Sequence, residues 1–256
     1  MTIMLICAIL VLSSLSGCTK NQQSSGETVE ITVSAAASLQ DALTDITTIF
    51  EKENPRIKVN YNFGGSGSLQ QQISQGAPVD IFFSAADDKF KHLVNEGLIE
   101  DGQSTNLLQN ELALIIPSRG QIAIAGFTDL IHADKVAIGT PESVPAGKYA
   151  KETLESLNRW DSMENKVIFA KDVRQVLTYV ETNNVDAGIV YLTDALISDK
   201  VKIIATAETT MHTPIVYPVG IVKNRQSVTE TEQFYSYLQS EQALQIFEKY
   251  GFKGLK

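Results

Sequence analysis

The stretch Ile31-Thr32-Val33-Ser34-Ala35-Ala36-Ala37-Ser38-Leu39 passes from a β-branched run into small residues and then into an apolar repeat. Leu39, Leu43, Ile46 and Phe50 recur at i, i+4, i+7 and i+11, the stripe of one amphipathic helix. The unit is therefore strand, small-residue turn, helix. Pro55 closes it, because a proline neither continues a helix nor lets the residue before it do so.

Working outward, the same unit recurs. Val59 to Phe63 alternates as a strand, and Ser66 to Ser74 reads as a helix. Apolar strands are expected at Asp80 to Ser84, Leu112 to Ile116, Val136 to Gly139, Val167 to Ala170 and Gly188 to Tyr191. Helical stretches at 147–158 and 172–182 separate the later strands, and two more, near 228–238 and 240–250, end the chain. Such alternation predicts an α/β fold with largely parallel sheets. Leu112–Ile116, with its lead-in near Leu107, and Ile215–Val222 are the candidate crossings between two lobes.

Four segments place a short turn of small residues between a strand and a helix: Ala35-Ala36-Ala37-Ser38, Gly64-Gly65-Ser66-Gly67-Ser68, Pro145-Ala146-Gly147 and Lys171-Asp172-Val173-Arg174. A helix N-terminus offers unpaired N–H groups and the positive end of its dipole, so it attracts anions. A serine at one such position is ordinarily only a cap. Four together, at the carboxyl ends of strands, form the place where open α/β sheets bind ligands. Competing motifs fail on spacing. Gly65-Ser66-Gly67 begins a dinucleotide fingerprint, but Gln70 stands where its last glycine belongs. Gly64 to Ser68 is no nucleophile elbow, because its fifth position is Ser68.

The composition narrows the function classes. The 256 residues are 43% hydrophobic and 20% charged, a globular balance. The formal net charge of −9, with no basic stripe, excludes nucleic acid as the expected partner. An anion must then be held by local dipoles against the overall field. Both cysteines, Cys7 and Cys18, lie in the first 18 residues, so the folded part has neither disulfides nor thiolate metal sites. His92, His132 and His212 are scattered, without metal-ligand spacing.

Met1 to Leu15 is almost wholly apolar and too short to span a bilayer comfortably. With Leu15-Ser16-Gly17-Cys18 behind it, it resembles a lipoprotein signal. Residues 1–17 are expected to be removed, Cys18 to carry the lipid, and 18–28 to form a flexible tether.

Residues 31–39, with Gly-Ala-Pro-Val-Asp-Ile-Phe-Phe-Ser-Ala (76–85), Pro-Glu-Ser-Val-Pro-Ala-Gly-Lys-Tyr-Ala (141–150), Gly-Ile-Val-Tyr (188–191) and Ile-Phe-Glu-Lys-Tyr-Gly-Phe (246–252), resemble the molybdate-binding proteins of ABC importers. The resemblance runs from about residue 30 to 253, with the motifs in family order. It implies a two-lobed periplasmic-binding-protein fold of type II, with lobe 1 at 29–107 and 217–256 and lobe 2 at 108–216. It implies an oxyanion, molybdate or tungstate, held by the hydroxyls of Ser38, Ser66 and Tyr191 and the backbone N–H groups of Ala146 and Val173. The chain departs from the family at Gly-Ser-Gly-Ser (65–68), where three consecutive serines are common, which leaves Ser68 as a rival to Ser66. The implied protein is no enzyme and has no cofactor or cation ligand. It is an exported, lipid-anchored monomer that delivers its anion to a membrane permease. Two rivals remain: a binder of another tetrahedral oxyanion such as sulfate, and a secreted serine hydrolase. The hydrolase lacks a motif-placed histidine base.

Overall fold

A computed structural model of the chain describes residues 28–120, 123–223 and 225–255. The expected signal segment, the lipidation residue Cys18 and the tether up to residue 27 lie outside the described residues.

The strands gather into two sheets. The first holds β1 (Val29–Ala36), β2 (Ile57–Gly64), β3 (Ile81–Phe83), β4 (Ile99–Gln109), β10 (Val216–Val222) and β11 (Lys253–Gly254), in the order β11-β4-β10-β3-β1-β2. The second holds β5 (Leu112–Pro117), β6 (Val136–Gly139), β7 (Val167–Ala170), β8 (Ala187–Tyr191) and β9 (Val201–Thr206), in the order β7-β6-β8-β5-β9. In the first sheet β1 to β4 run one way, with β10 and β11 reversed. In the second, β6 to β9 run together and only β5 is reversed. Each sheet is thus mixed: most of its strands point one way, as expected of an α/β fold, but every pair made by β5, β10 or β11 is antiparallel. β5 and β10, each reversed, are the strands that enter directly from the other sheet. The chain leaves the first sheet at Asn110 and Glu111 and returns between Thr206 and Val216.

Helices cover both faces. They are α1 (Gln40–Glu53), α2 (Ser66–Ser74), α3 (Asp87–Asn95), α4 (Pro145–Ser156), α5 (Trp160–Met163), α6 (Val173–Glu181), α7 (Leu192–Leu196), α8 (Val228–Leu238) and α9 (Glu241–Lys249). The stripe read in α1 is its buried face: Leu43, Ile46 and Phe50 are wholly shielded, and Phe50 meets Phe234 of α8 edge-on at 4.8 Å. In α6, Val173, Val176, Leu177 and Val180 are buried at i, i+3, i+4 and i+7. β3 explains why a doubly covered strand reads as a continuous apolar run. Ile81 and Phe83 join the main core, while Phe82 faces a second cluster with Leu69, Ile73 and Phe90 under α2 and α3.

Candidate functional site

Four parallel strands end in four helix starts. β1 continues through a 3-10 turn at Ala37–Leu39 into α1, β2 turns into α2, β6 reaches α4 through residues 140–144, and β7 turns into α6. All four turns lie at the carboxyl ends of their strands and converge from both sheets. Ser38, Ser66, Ala146 and Val173 stand at these starts, and Tyr191 ends β8 beside them. All five are buried, and all five line one small cavity. Ala36, Ala37, Gly64, Gly65, Ala85, Val144 and Pro145 complete its wall. Ser66 lines it, whereas Ser68 does not.

Each donor is prepared by its neighbours. Ser66 Oγ accepts the Ala85 N–H at 2.9 Å, which leaves the hydroxyl proton to donate elsewhere. Ser38 Oγ lies 2.9 Å from Tyr217 Oη. Pro145 is the first residue of α4, where a missing N–H costs nothing, so Ala146 supplies the first N–H of that helix. Val144 O already receives the N–H groups of Gly147 and Lys148, one turn on. In α6, Asp172 caps by accepting the Gln175 N–H at 2.8 Å, and Val173 is the first helical residue. The Tyr191 hydroxyl is fully buried and makes no well-formed hydrogen bond among the described residues, although the Tyr217 hydroxyl lies near enough to interact with it. Burial raises its pKa well above the ordinary value, so it stays a protonated donor.

Among the described residues, no lysine or arginine lines the cavity. The cation beside Val173 in the chain is spent elsewhere: Arg174 Nε meets Asp194 Oδ1 at 2.7 Å and its Nη2 meets Asp41 Oδ2 at 2.5 Å. Nor does any histidine line it, so Ser38 and Ser66 have no imidazole base there. A surface groove of about 450 Å³ beside Asp80 and Arg225 is larger, but its arginine is paired with Glu100 and Glu232 and it gathers no comparable donor set.

The two sides touch across the cavity. Gly67 N–H donates to Ser143 O at 2.9 Å, and a Cβ at Gly67 would lie 2.8 Å from Ser143 Cα. Arg174 of α6 reaches Asp41 of α1, and Lys148 of α4 lies 3.4 Å from Asp88 of α3. Tyr217, Asn110, Arg174 and Asp194 stand behind the cavity wall, and sequence reading assigned none of them a role at the site. Their contacts join residues far apart in the chain, which no local periodicity records.

Hydroxyls and backbone N–H groups alone suit a small anion whose oxygens all accept. The pattern of the bacterial extracellular solute-binding protein family matches residues 31–253. A Bacillus subtilis (strain 168) protein provisionally named as an ABC transporter substrate-binding lipoprotein, YvgL, is 52% identical over 249 residues, covering 96% of each chain. The molybdate-binding protein ModA of Escherichia coli (strain K12) is 40% identical over 229 residues, covering 87% of this chain and 88% of that protein. Among solved structures, the substrate binding domain of a provisionally assigned molybdenum ABC transporter from Clostridium difficile is 41% identical. Its TM-score is 0.68, with 90% of this chain and 100% of that chain covered. The fold is that of the periplasmic binding proteins, and the chain belongs to the bacterial extracellular solute-binding protein family that serves ABC transporters.

Proposed function

We propose that this protein captures molybdate or tungstate between its two lobes, 29–107 with 217–256 and 108–216, and delivers it to an ABC permease. One observation carries the reading. The cavity is walled by neutral donors, and one of them, the Tyr191 hydroxyl, is buried with no well-formed hydrogen bond among the described residues. A buried unpaired hydroxyl costs about 1–3 kcal/mol, which a bound oxyanion would recover. Ser38, Ser66, Ala146, Val173 and Tyr191 are the proposed ligands. A dianion is held without cations because each oxygen that loses water gains a hydrogen bond. A cavity of fixed size then selects by radius: sulfate is smaller and would leave donors unpaired.

Calorimetry on the protein with molybdate, tungstate and sulfate tests the reading, alongside melting in each anion. Molybdate and tungstate are expected to bind and to raise the melting temperature. A hundredfold excess over Kd adds about 2.7 kcal/mol of stability. Equal binding of sulfate would remove the size argument, and no binding of any of the three would overturn the function. The anchor belongs to the same reading. Cys18→Ser is expected to move the protein from the membrane fraction to the soluble one, and retention at the membrane would show that lipid at Cys18 is not what holds it.

A further inference from the structure

The Ser38 hydroxyl can turn its proton into the cavity or onto Tyr217, and three buried groups decide which. Asn110 Oδ1 accepts the Glu111 N–H at 2.8 Å, which sets the orientation of the side-chain amide. Its Nδ2 therefore faces Tyr217 Oη at 3.1 Å and Thr193 Oγ1 at 2.9 Å. An amide nitrogen only donates. Tyr217 Oη already accepts that proton; of its two remaining hydroxyl neighbours, Tyr191 makes no well-formed bond with it, and it turns its own proton to Ser38 Oγ, at 2.9 Å. Ser38, accepting from Tyr217, keeps its own proton for the cavity. We propose that Tyr217 is a positioning residue that, oriented by Asn110, locks Ser38 as a hydrogen-bond donor to the bound oxyanion. The proposal rests on the oxyanion reading of the cavity.

The chain of protons starts where the polypeptide crosses between the sheets, at Asn110, and ends in the cavity. Tyr217 has no exposed surface, and Ser38 and Asn110 are buried. No water competes for the phenol, and its ring is held edge-on to Tyr191 at 5.7 Å and to Phe252 at 5.4 Å. A locked donor has a consequence for specificity. A protonated oxyanion such as hydrogen phosphate must place its own O–H against an acceptor, and Ser38 in this state offers none.

A double-mutant cycle tests the idea, with molybdate affinity measured by calorimetry on the full chain and each apo variant melted to check its fold. Tyr217→Phe keeps the ring. With Ser38 present it is expected to weaken molybdate about 3- to 10-fold, the worth of one oriented hydrogen bond. In the Ser38→Ala background the same change is expected to cost nothing further. Competition with inorganic phosphate gives a second readout, because the preference for molybdate should narrow in Tyr217→Phe. Asn110→Ala, measured in the same two backgrounds, removes the donor that orients Tyr217 and serves if the tyrosine variant does not fold. Equal losses in both backgrounds would make the residues merely structural and overturn the proposal. If the unaltered protein fails to bind molybdate, the oxyanion reading falls, and this proposal falls with it.

Discussion

Tyr191 and Tyr217 are both buried phenols at the cavity, and they differ in one respect that matters. Tyr217 Oη is hydrogen-bonded to Asn110 and lies beside Ser38 Oγ, whereas Tyr191 Oη, with Tyr217 near it, makes no well-formed hydrogen bond among the described residues. Removing a paired hydroxyl loses a bond, while removing an orphan one relieves a desolvation cost. Tyr191→Phe is therefore expected to leave the melting temperature of the empty protein unchanged or raised. Its affinity for molybdate should fall about 10- to 150-fold, the range for a hydrogen bond to a charged group. Calorimetry and a melt on the same variant check both halves. Unchanged affinity with a lower melting temperature would make Tyr191 a core residue and remove it from the site. Ala146 and Val173 resist this kind of test, because the donors assigned to them are backbone groups that substitution leaves in place.

Among the elements, those with strong apolar periodicity were legible. The bounds read for α2, β6, β7 and α8 match the structure residue for residue, and the stripe in α1 is its buried face. β4 escaped because Ile99–Gln109 is polar through its middle, alternates between half-exposed and exposed positions, and bends through Gly102 at φ +74°. Its pairing with β10 slips twice, so tertiary contacts rather than its own pattern define it. β9 is an edge strand with most of its residues partly or wholly exposed, and its apolar residues, Val201, Ile203, Ile204 and Ala205, do not alternate with polar ones. The helix starts were legible for a different reason, since small residues there permit close approach. Gly147 is an example: a Cβ at that position would lie 1.9 Å from Gly139 O, so α4 can bring Ala146 to the cavity only because residue 147 has no side chain. The residues behind the wall were not legible. Ser38 meets Tyr217 across 179 positions and Asn110 meets Tyr217 across 107, distances at which spacing says nothing about contact.

At the scale of the whole molecule, an acidic protein is read as holding an anion, and one buried charge cluster tells how it is balanced. Asp194 is fully buried, and burial pushes its carboxyl up to about 6. Arg174 and the Tyr191 backbone N–H oppose that shift, and the second carboxylate, Asp41, reinforces it. The folded pKa lies above the unfolded value of 3.8, so the folded protein binds more protons between about pH 4 and 6. Stability from this group is therefore greatest below that window, falls as pH rises through it, and levels off above it. Asp194→Asn keeps the shape and cannot titrate. Relative to the unaltered protein, the variant should gain stability from pH 4 to pH 7, by about 2 to 3 kcal/mol at most. Urea unfolding of both proteins at pH 4, 5, 6 and 7 measures the difference directly. A difference that stays constant would mean that Arg174 compensates Asp194 completely. A rising one would mean that the fold tolerates a costly carboxylate at the end of β8. The carboxylate would then be kept for what it does to Arg174, whose guanidinium crosses from α6 to Asp41 on α1 and ties the two sides of the cavity together.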